Sequence, residues 1–231
     1  MKPRRVSYRR HRFPPEIISH AVWLYYRFCL SLRDVEDLLA QRGVTVSYES
    51  IRHWCAKFGQ TYARRLRRRE GRLGDTWHLD EVVTIGGRRQ YLWRAVDQEG
   101  AVLDILVQGR RDGRAAARFF RKLLRGQGSE PARLVTDKLR SYGTARRVVM
   151  RSVPHDTQQY ANNRAEVSHQ PTRERERQMR RFKSRRQVQR FLSVHGVIQN
   201  LFRMGRHLLR AAHHRLFRQR ALSVWAEVTC A

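Results

Sequence analysis

The hydrophobic period changes once along this chain, near Gly74, and that change restricts the fold more than any other feature. Before it, apolar residues recur every three to four positions: Ile17, Ile18, Ala21, Leu24, Tyr25 and Phe28, then Val35, Leu38 and Leu39, then Ile51, Trp54, Cys55 and Phe58. That spacing predicts three helices. After it, Thr76–Thr84, Gln90–Asp97 and Ala101–Val107 are short β-rich runs separated by turns at Gly86-Gly87 and Gln98-Glu99-Gly100, which predicts an antiparallel three-stranded meander.

The remaining segments alternate. A helix is predicted over Arg114–Arg125, a strand over Arg133–Thr136, a helix over Ser141–Met150 and a short strand over Val153–His155. A helix then starts at Asn163, and a long one covers 186–210. The order β-β-β-α-β-α-β-α is that of the RNase H fold. The expected class is therefore α/β (α+β), with a mixed five-stranded sheet flanked by helices and the three-helix region in front of it.

Local signals place the ends of the first helices. Pro14-Pro15 opens the first, because proline is tolerated in a first turn where its missing N–H costs nothing. Ser31, with Asp34 three residues on, forms a capping-box variant for the second, and Gly43 ends it. Ser47 caps the third and Gly59 closes it. Two short helices joined by a tight turn containing glycine read as helix-turn-helix, with Tyr48, Arg52 and His53 on the outward face. Any small three-helix bundle shows the same periodicity, so the basic flanks carry the DNA-reading interpretation. The expected organisation is a flexible basic arm at 1–12, the helix-turn-helix domain at 13–62, a basic linker at 63–73, a catalytic domain at 74–210 and a C-terminal tail helix at 211–231.

The formal net charge is +29, from 49 Lys plus Arg against 20 Asp plus Glu. Basic residues outnumber acidic ones 16 to 6 over 1–70, 18 to 11 over 71–170 and 15 to 3 over 171–231, so the excess is not confined to one tail. Such a surface binds polyanions, and most of the excess is Arg, whose planar fork suits phosphate oxygens. DNA or RNA is the partner this charge predicts, and where it is double-stranded DNA, Arg64, Arg65, Lys138, Arg164, Arg173, Arg180 and Lys183 are the further expected contacts. Three widely spaced cysteines indicate neither a disulfide framework nor a zinc site. No apolar run has the length of a bilayer span and the N-terminus lacks a signal-peptide core, so the expected location is cytoplasmic, at the nucleoid, with no membrane partner.

Against that basic background three carboxylates stand out: Asp80 on the first predicted strand, Asp137 at the end of the fourth, and Glu166 in the first turn of a helix. The first and fourth strands of an RNase H-like sheet are neighbours, so the two aspartates are expected to converge with Glu166 docking over them. Hard oxygen ligands suit Mg²⁺, with Mn²⁺ as the alternative, and two ions roughly 4 Å apart support phosphoryl transfer. Each acid also has an ordinary structural reading. Asp137 could cap a turn, Glu166 completes an Asn163-x-x-Glu166 capping box, and Glu81 should face away from Asp80 and pair with an arginine. His78 shares the strand face of Asp80.

Four stretches, Phe13–Phe28, Tyr91–Asp97, Val135–Gly143 and Asn162–Ser184, resemble signatures of the bacterial insertion-sequence DDE transposases of the insertion sequence six group. The similarity runs from about residue 12 to the end. The resemblance implies an RNase H-like catalytic domain behind a helix-turn-helix, catalytic and metal-binding roles for Asp80, Asp137 and Glu166, and movement of DNA through cointegrates by joining element 3′ ends to target DNA. Pairing two element ends implies a homodimer or higher oligomer. Two other functions remain open on the residues alone: an RNase H-like nuclease that cuts without joining, and a helix-turn-helix regulator with an inactive catalytic domain.

Overall fold

In the computed structural model the described residues are 6–71, 73–85, 88–158, 161–203 and 209–230 (for 82–85 and 88–89, the backbone). They fall into two units, one of residues 1–70 with 197–231 and one of residues 71–196. The Gly86-Gly87 turn expected from the sequence lies outside the described residues.

The first unit begins with α1 (Pro15–Arg27), α2 (Leu32–Ala40) and α3 (Tyr48–Arg67). The predicted capping box is present: Asp34 N–H donates to Ser31 Oγ at 3.1 Å, and Ser31 N–H donates to Asp34 Oδ2 at 2.7 Å. Ser47 Oγ accepts from Ser50 N–H at the start of α3. Gly59, however, does not close α3. The helix runs on because Tyr26 of α1 lies against this position, and an added Cβ would meet its ring at 3.1 Å. Glycine here allows close helix packing. Residues 63–67, assigned to a linker from their charge, therefore belong to α3, with Ala63 and Leu66 buried.

Two further expectations change in this unit. The C-terminal tail helix, α9 (Ala211–Thr229), is part of this unit, and residues 197–203 do not cluster with the sheet. Ala221, Trp225 and Val228 recur at helical spacing and are buried, and α9 packs on α1 and α3. Burying a side chain the size of Val228 stabilises the unit by about 1.5–3 kcal/mol. The basic arm is held too, over its described part. Tyr8 Oη lies 2.6 Å from Tyr62 Oη and donates to the Thr229 carbonyl at 2.6 Å, and its ring sits 4.9 Å from Phe58.

The second unit is built on β1 (Thr76–Ile85), β2 (Arg88–Val96), β3 (Val102–Gln108), β4 (Arg133–Thr136) and β5 (His155–Asp156), in the sheet order β3-β2-β1-β4-β5. β1–β2 and β2–β3 are antiparallel; β1–β4 and β4–β5 are parallel. This is the mixed five-stranded, RNase H-like sheet that the element order predicts. α4 (Gly113–Gln127) and α5 (Arg140–Val149) pack against each other, and with the sheet they bury Trp77, Leu79, Trp93, Phe119, Phe120 and Tyr142. α6 (Asn163–Ser168) packs on β1 and β2, and α7 (Gln170–Gln178) follows it. α8 (Arg185–Leu201) approaches β3 so closely that a Cβ on Gly196 would meet Val102 at 3.1 Å. Gln189 of α8 covers the free edge of β3, accepting from Val107 N–H at 2.8 Å. An edge strand is thereby kept from pairing elsewhere.

Candidate active site

Strand alternation distributes the β1 side chains to two faces. Trp77, Leu79 and Glu81 point towards α4 and α5, whereas His78 and Asp80 point towards α6 and α7. The partners in register follow suit: Trp93, opposite Glu81, is in the core, and Arg94, opposite Asp80, donates to Thr172 Oγ1 of α7 at 3.0 Å. β4 lies beside β1 and ends at Thr136, so Asp137 emerges next to Asp80. Carboxylate oxygens of Asp80, Glu81 and Asp137 lie within 4.8 Å of one another.

The third member of this cluster is Glu81. Its side chain is fully buried; Tyr142 Oη donates to one oxygen at 2.5 Å, and Arg111 Nε to the other at 2.6 Å. The arginine pairing matches the sequence expectation. The distance from Asp80 does not, because β4 stops beside Leu79 and leaves that edge of β1 open, where a glutamate is long enough to reach round to its neighbour's carboxylate. Arg111 also lies 3.9 Å from Asp137.

Glu166 sits in α6 and is exposed, outside this tight set. Its charge still contributes to raising the Asp80 pKa, after larger effects from Glu81 and Asp137. The Asn162 side chain does not cap α6; its Nδ2 donates to the Leu79 carbonyl at 2.7 Å and so ties the helix to β1 one residue before Asp80.

Burial first, then the repulsion of Glu81, pushes the Asp80 carboxyl up to about 7. Burial likewise raises Glu81, offset in part by Tyr142 and Arg111. His169, 1% exposed, brings its Nε2 to 3.5 Å from Asp80 Oδ2, but burial and the nearby Arg94 and Arg173 lower its pKa to about 3. It is neutral at physiological pH, so this contact is not an ion pair. His78 is buried with a lowered pKa and stands outside the cluster. Among the described residues Arg111 pairs with Glu81 and lies 3.9 Å from Asp137, and no cation pairs with Asp80, which leaves the cluster short of positive charge. Their hard oxygens are donors of the type that Mg²⁺ or Mn²⁺ takes.

Comparison with known proteins identifies the setting of this cluster. A family model described as "DDE domain" matches residues 74–205. The transposase for the insertion sequence-like element IS431mec of Staphylococcus aureus (strain N315) is 30% identical over 168 residues, 70% of this chain and 75% of the relative. The transposase for insertion sequence element IS257 in transposon Tn4003 of Staphylococcus aureus matches to the same extent. The chain belongs to the DDE transposases of the insertion sequence six group. It is a DNA transposase, a DNA-processing and DNA-binding enzyme of a family that uses divalent metal. A simian T-cell lymphotropic virus intasome, solved in complex with PP2A regulatory subunit B56 gamma, is similar over 45% of this chain and 39% of its own, at 18% identity and a TM-score of 0.35. No helix among the described residues is long and apolar enough to cross a membrane.

The residues expected to meet DNA are placed unevenly. In the transposase Arg52 and His53 are exposed on α3, with Arg52 paired to Glu49 at 2.6 Å, while Tyr48 lies under the Arg33 guanidinium at 4.4 Å. Arg64 is exposed, but Arg65 is committed: its Nη1 donates to the Val228 carbonyl at 2.5 Å. Lys138, Arg164, Arg173, Arg180 and Lys183 are all exposed. Arg175, in the same basic run, is 1% exposed and stacks on Phe191 at 5.3 Å, so it faces the core and not DNA. Sequence reasoning missed Arg111 and Tyr142 as neighbours of the acids. Tyr142 lies within the Val135–Gly143 stretch, which was the one signal available.

Proposed function

We propose that this transposase binds the terminal inverted repeats of its insertion sequence, cleaves their 3′ ends and transfers them to target DNA, forming a cointegrate. The observation that carries this reading is the convergence of Asp80 and Asp137, from neighbouring parallel strands, inside a chain of net charge +29. A carboxylate cluster in so basic a protein is electrostatically costly unless cations occupy it. Asp80 and Asp137 would hold Mg²⁺, or Mn²⁺ in its place, with Glu166 on the exposed face of α6 closing the site. Two such ions would supply activation of the attacking water in cleavage, or of the 3′-hydroxyl in joining, and stabilisation of the leaving oxygen. Glu81, already committed to Tyr142 and Arg111, stays behind the pair and keeps Arg111 beside it. Lys138 and Arg164 offset the negative charge that spreads over the transferred phosphoryl group.

End recognition belongs to α3, whose Arg52 and His53 meet base edges in the major groove with Tyr48 beside them. Arg64, Arg173, Arg180 and Lys183 follow the phosphate backbone. The working form is a homodimer or larger, since two ends must be held together, and it acts at the bacterial nucleoid. The deciding experiment supplies purified transposase with a plasmid carrying the element's own ends, with Mg²⁺ and with EDTA. Nicked 3′ ends and joined products that need Mg²⁺ are expected. Nicks without joined products would instead make the protein a nuclease.

A further inference from the structure

A second basic feature lies on the catalytic unit, on the β3 side of the sheet. β3, the 109–112 loop, the start of α4 and the start of α8 enclose a cleft of about 1050 Å³. Arg110, Arg114 and Arg118 line one wall and Arg185, Arg186 and Arg190 the other. All six are exposed. Arg121 and Arg125 continue the α4 row at helical spacing along an adjoining hollow. The negative charges nearby are already engaged. The Asp112 carboxylate caps α4 by accepting from Ala115 N–H at 2.8 Å, and Asp104 is paired with Lys122.

The polar side chains able to read bases are engaged as well. Gln108 donates to the Ala115 carbonyl at 2.9 Å and accepts from Arg118 Nη1 at 2.8 Å. Gln189 is bound to the β3 backbone. What the cleft offers a ligand is therefore a double row of guanidinium groups, and the contacts these make to phosphates hold a duplex without reading its sequence. Its position adds a second constraint. Arg110 lines the cleft, while the next residue, Arg111, is paired with Glu81 beside Asp80 and Asp137, so one loop borders both.

We propose that this cleft seats the target duplex, bound without sequence preference, and leads it past the acid cluster. Element ends have a fixed sequence and suit a base-reading helix; target DNA is arbitrary and suits a surface that can only hold phosphates. The inference deepens the strand-transfer reading and rests on it.

The test uses the full chain with Arg110→Ala, Arg114→Ala and Arg118→Ala combined, its fold checked by circular dichroism. The probes are a duplex of the element's terminal repeat, a random duplex and pre-cleaved ends offered a plasmid target. Random-duplex affinity and joining of pre-cleaved ends should each fall at least tenfold. The slope of log affinity against log salt for the random duplex should flatten by about 3. Terminal-repeat affinity and 3′-end cleavage should stay within about twofold of the unsubstituted chain. Equal losses on both duplexes, or unchanged random-duplex binding, would overturn the proposal. If the unsubstituted chain cleaves but never joins, the strand-transfer reading fails, and the random-duplex arm alone still decides whether the cleft holds DNA.

Discussion

Glu81 and Arg111 form an ion pair in which the carboxylate is wholly buried and the guanidinium is 40% exposed, at the rim of the acid cluster. This asymmetry makes Arg111 the accessible half of a buried charge network. Removing one partner of a buried pair costs about 3–5 kcal/mol, and screening at the exposed guanidinium brings the expected loss for Arg111→Gln to about 2 kcal/mol. Adding Glu81→Gln to that variant should recover most of the loss, because a neutral amide needs no counter-charge and Tyr142 can still donate to it. Denaturant midpoints of the single and double variants in EDTA measure this directly. No recovery in the double variant would mean that Arg111 stabilises through packing and not through charge.

The raised pKa of Asp80 sets a pH dependence of definite sign. Its carboxyl is lifted from 3.8 to about 7, so between those values the folded chain keeps a proton that the unfolded chain has released. In EDTA the Asp80 contribution is therefore most favourable below about pH 4, declines as pH rises to about 7 and is level above it. The total is at most about 4 kcal/mol. Subtracting the profile of Asp80→Asn isolates the effect, and a flat difference would put Asp80 in a more solvated setting. A divalent cation competes with the same proton, so its apparent affinity should increase with pH up to about 7.

Asp80→Asn, Asp137→Asn and Glu166→Gln each keep the side-chain shape and remove the charge a divalent cation needs. Each should abolish 3′-end cleavage and leave DNA affinity unchanged, since affinity comes from the basic surface. The first two should also lose the rise in melting temperature on adding Mn²⁺. Glu166→Gln should retain part of it, because Glu166 stands outside the tight cluster. Cleavage at the unsubstituted rate by any one of the three would remove that residue from the site.

The strands and the Asp80–Asp137 convergence were legible in the sequence because alternation and strand order are local signals that the sheet preserves. What escaped it depended on tertiary contact. Gly59 resembles a helix terminator until Tyr26 is placed against it, and Asn163-x-x-Glu166 resembles a capping box until Asn163 is seen inside α6, with Asn162 before it bonded to the Leu79 carbonyl. Trp225 looked like part of a tail because the surface that α9 covers, on α1 and α3, is far away in sequence, within residues 15–67. Glu81 was assigned to its strand face correctly, but strand parity does not give the reach of a side chain where the neighbouring strand has ended. Arg175 shows the limit of reading charge alone: one member of an arginine run is core.

The basic run after Glu166 is bent, not a single helix, with Arg180 and Arg181 in left-handed backbone conformations between α7 and α8. Its outward cations include Arg173, Arg180 and Lys183. Neutralising these three should flatten the slope of log affinity against log salt by roughly 3 and weaken binding to all sequences alike. Arg175→Ala should behave differently, lowering the melting temperature with little change in that slope. An unchanged slope in the triple variant, with circular dichroism intact, would route DNA elsewhere.

Arg52 provides the corresponding test for base reading. On α3 it projects away from buried Ile51, Trp54, Cys55 and Phe58, and its guanidinium is held by Glu49. A bidentate contact to a base edge contributes about 1–3 kcal/mol of discrimination. Arg52→Ala should therefore cost about that much on the terminal repeat and leave a random duplex nearly unaffected. Glu49→Ala should act oppositely on specificity: it releases Arg52 from its ion pair, so affinity for the repeat should rise more than affinity for random DNA. Competition binding of both variants with the two duplexes separates the outcomes. An equal loss on both duplexes for Arg52→Ala would make Arg52 a phosphate contact and move sequence reading to His53 or Tyr48.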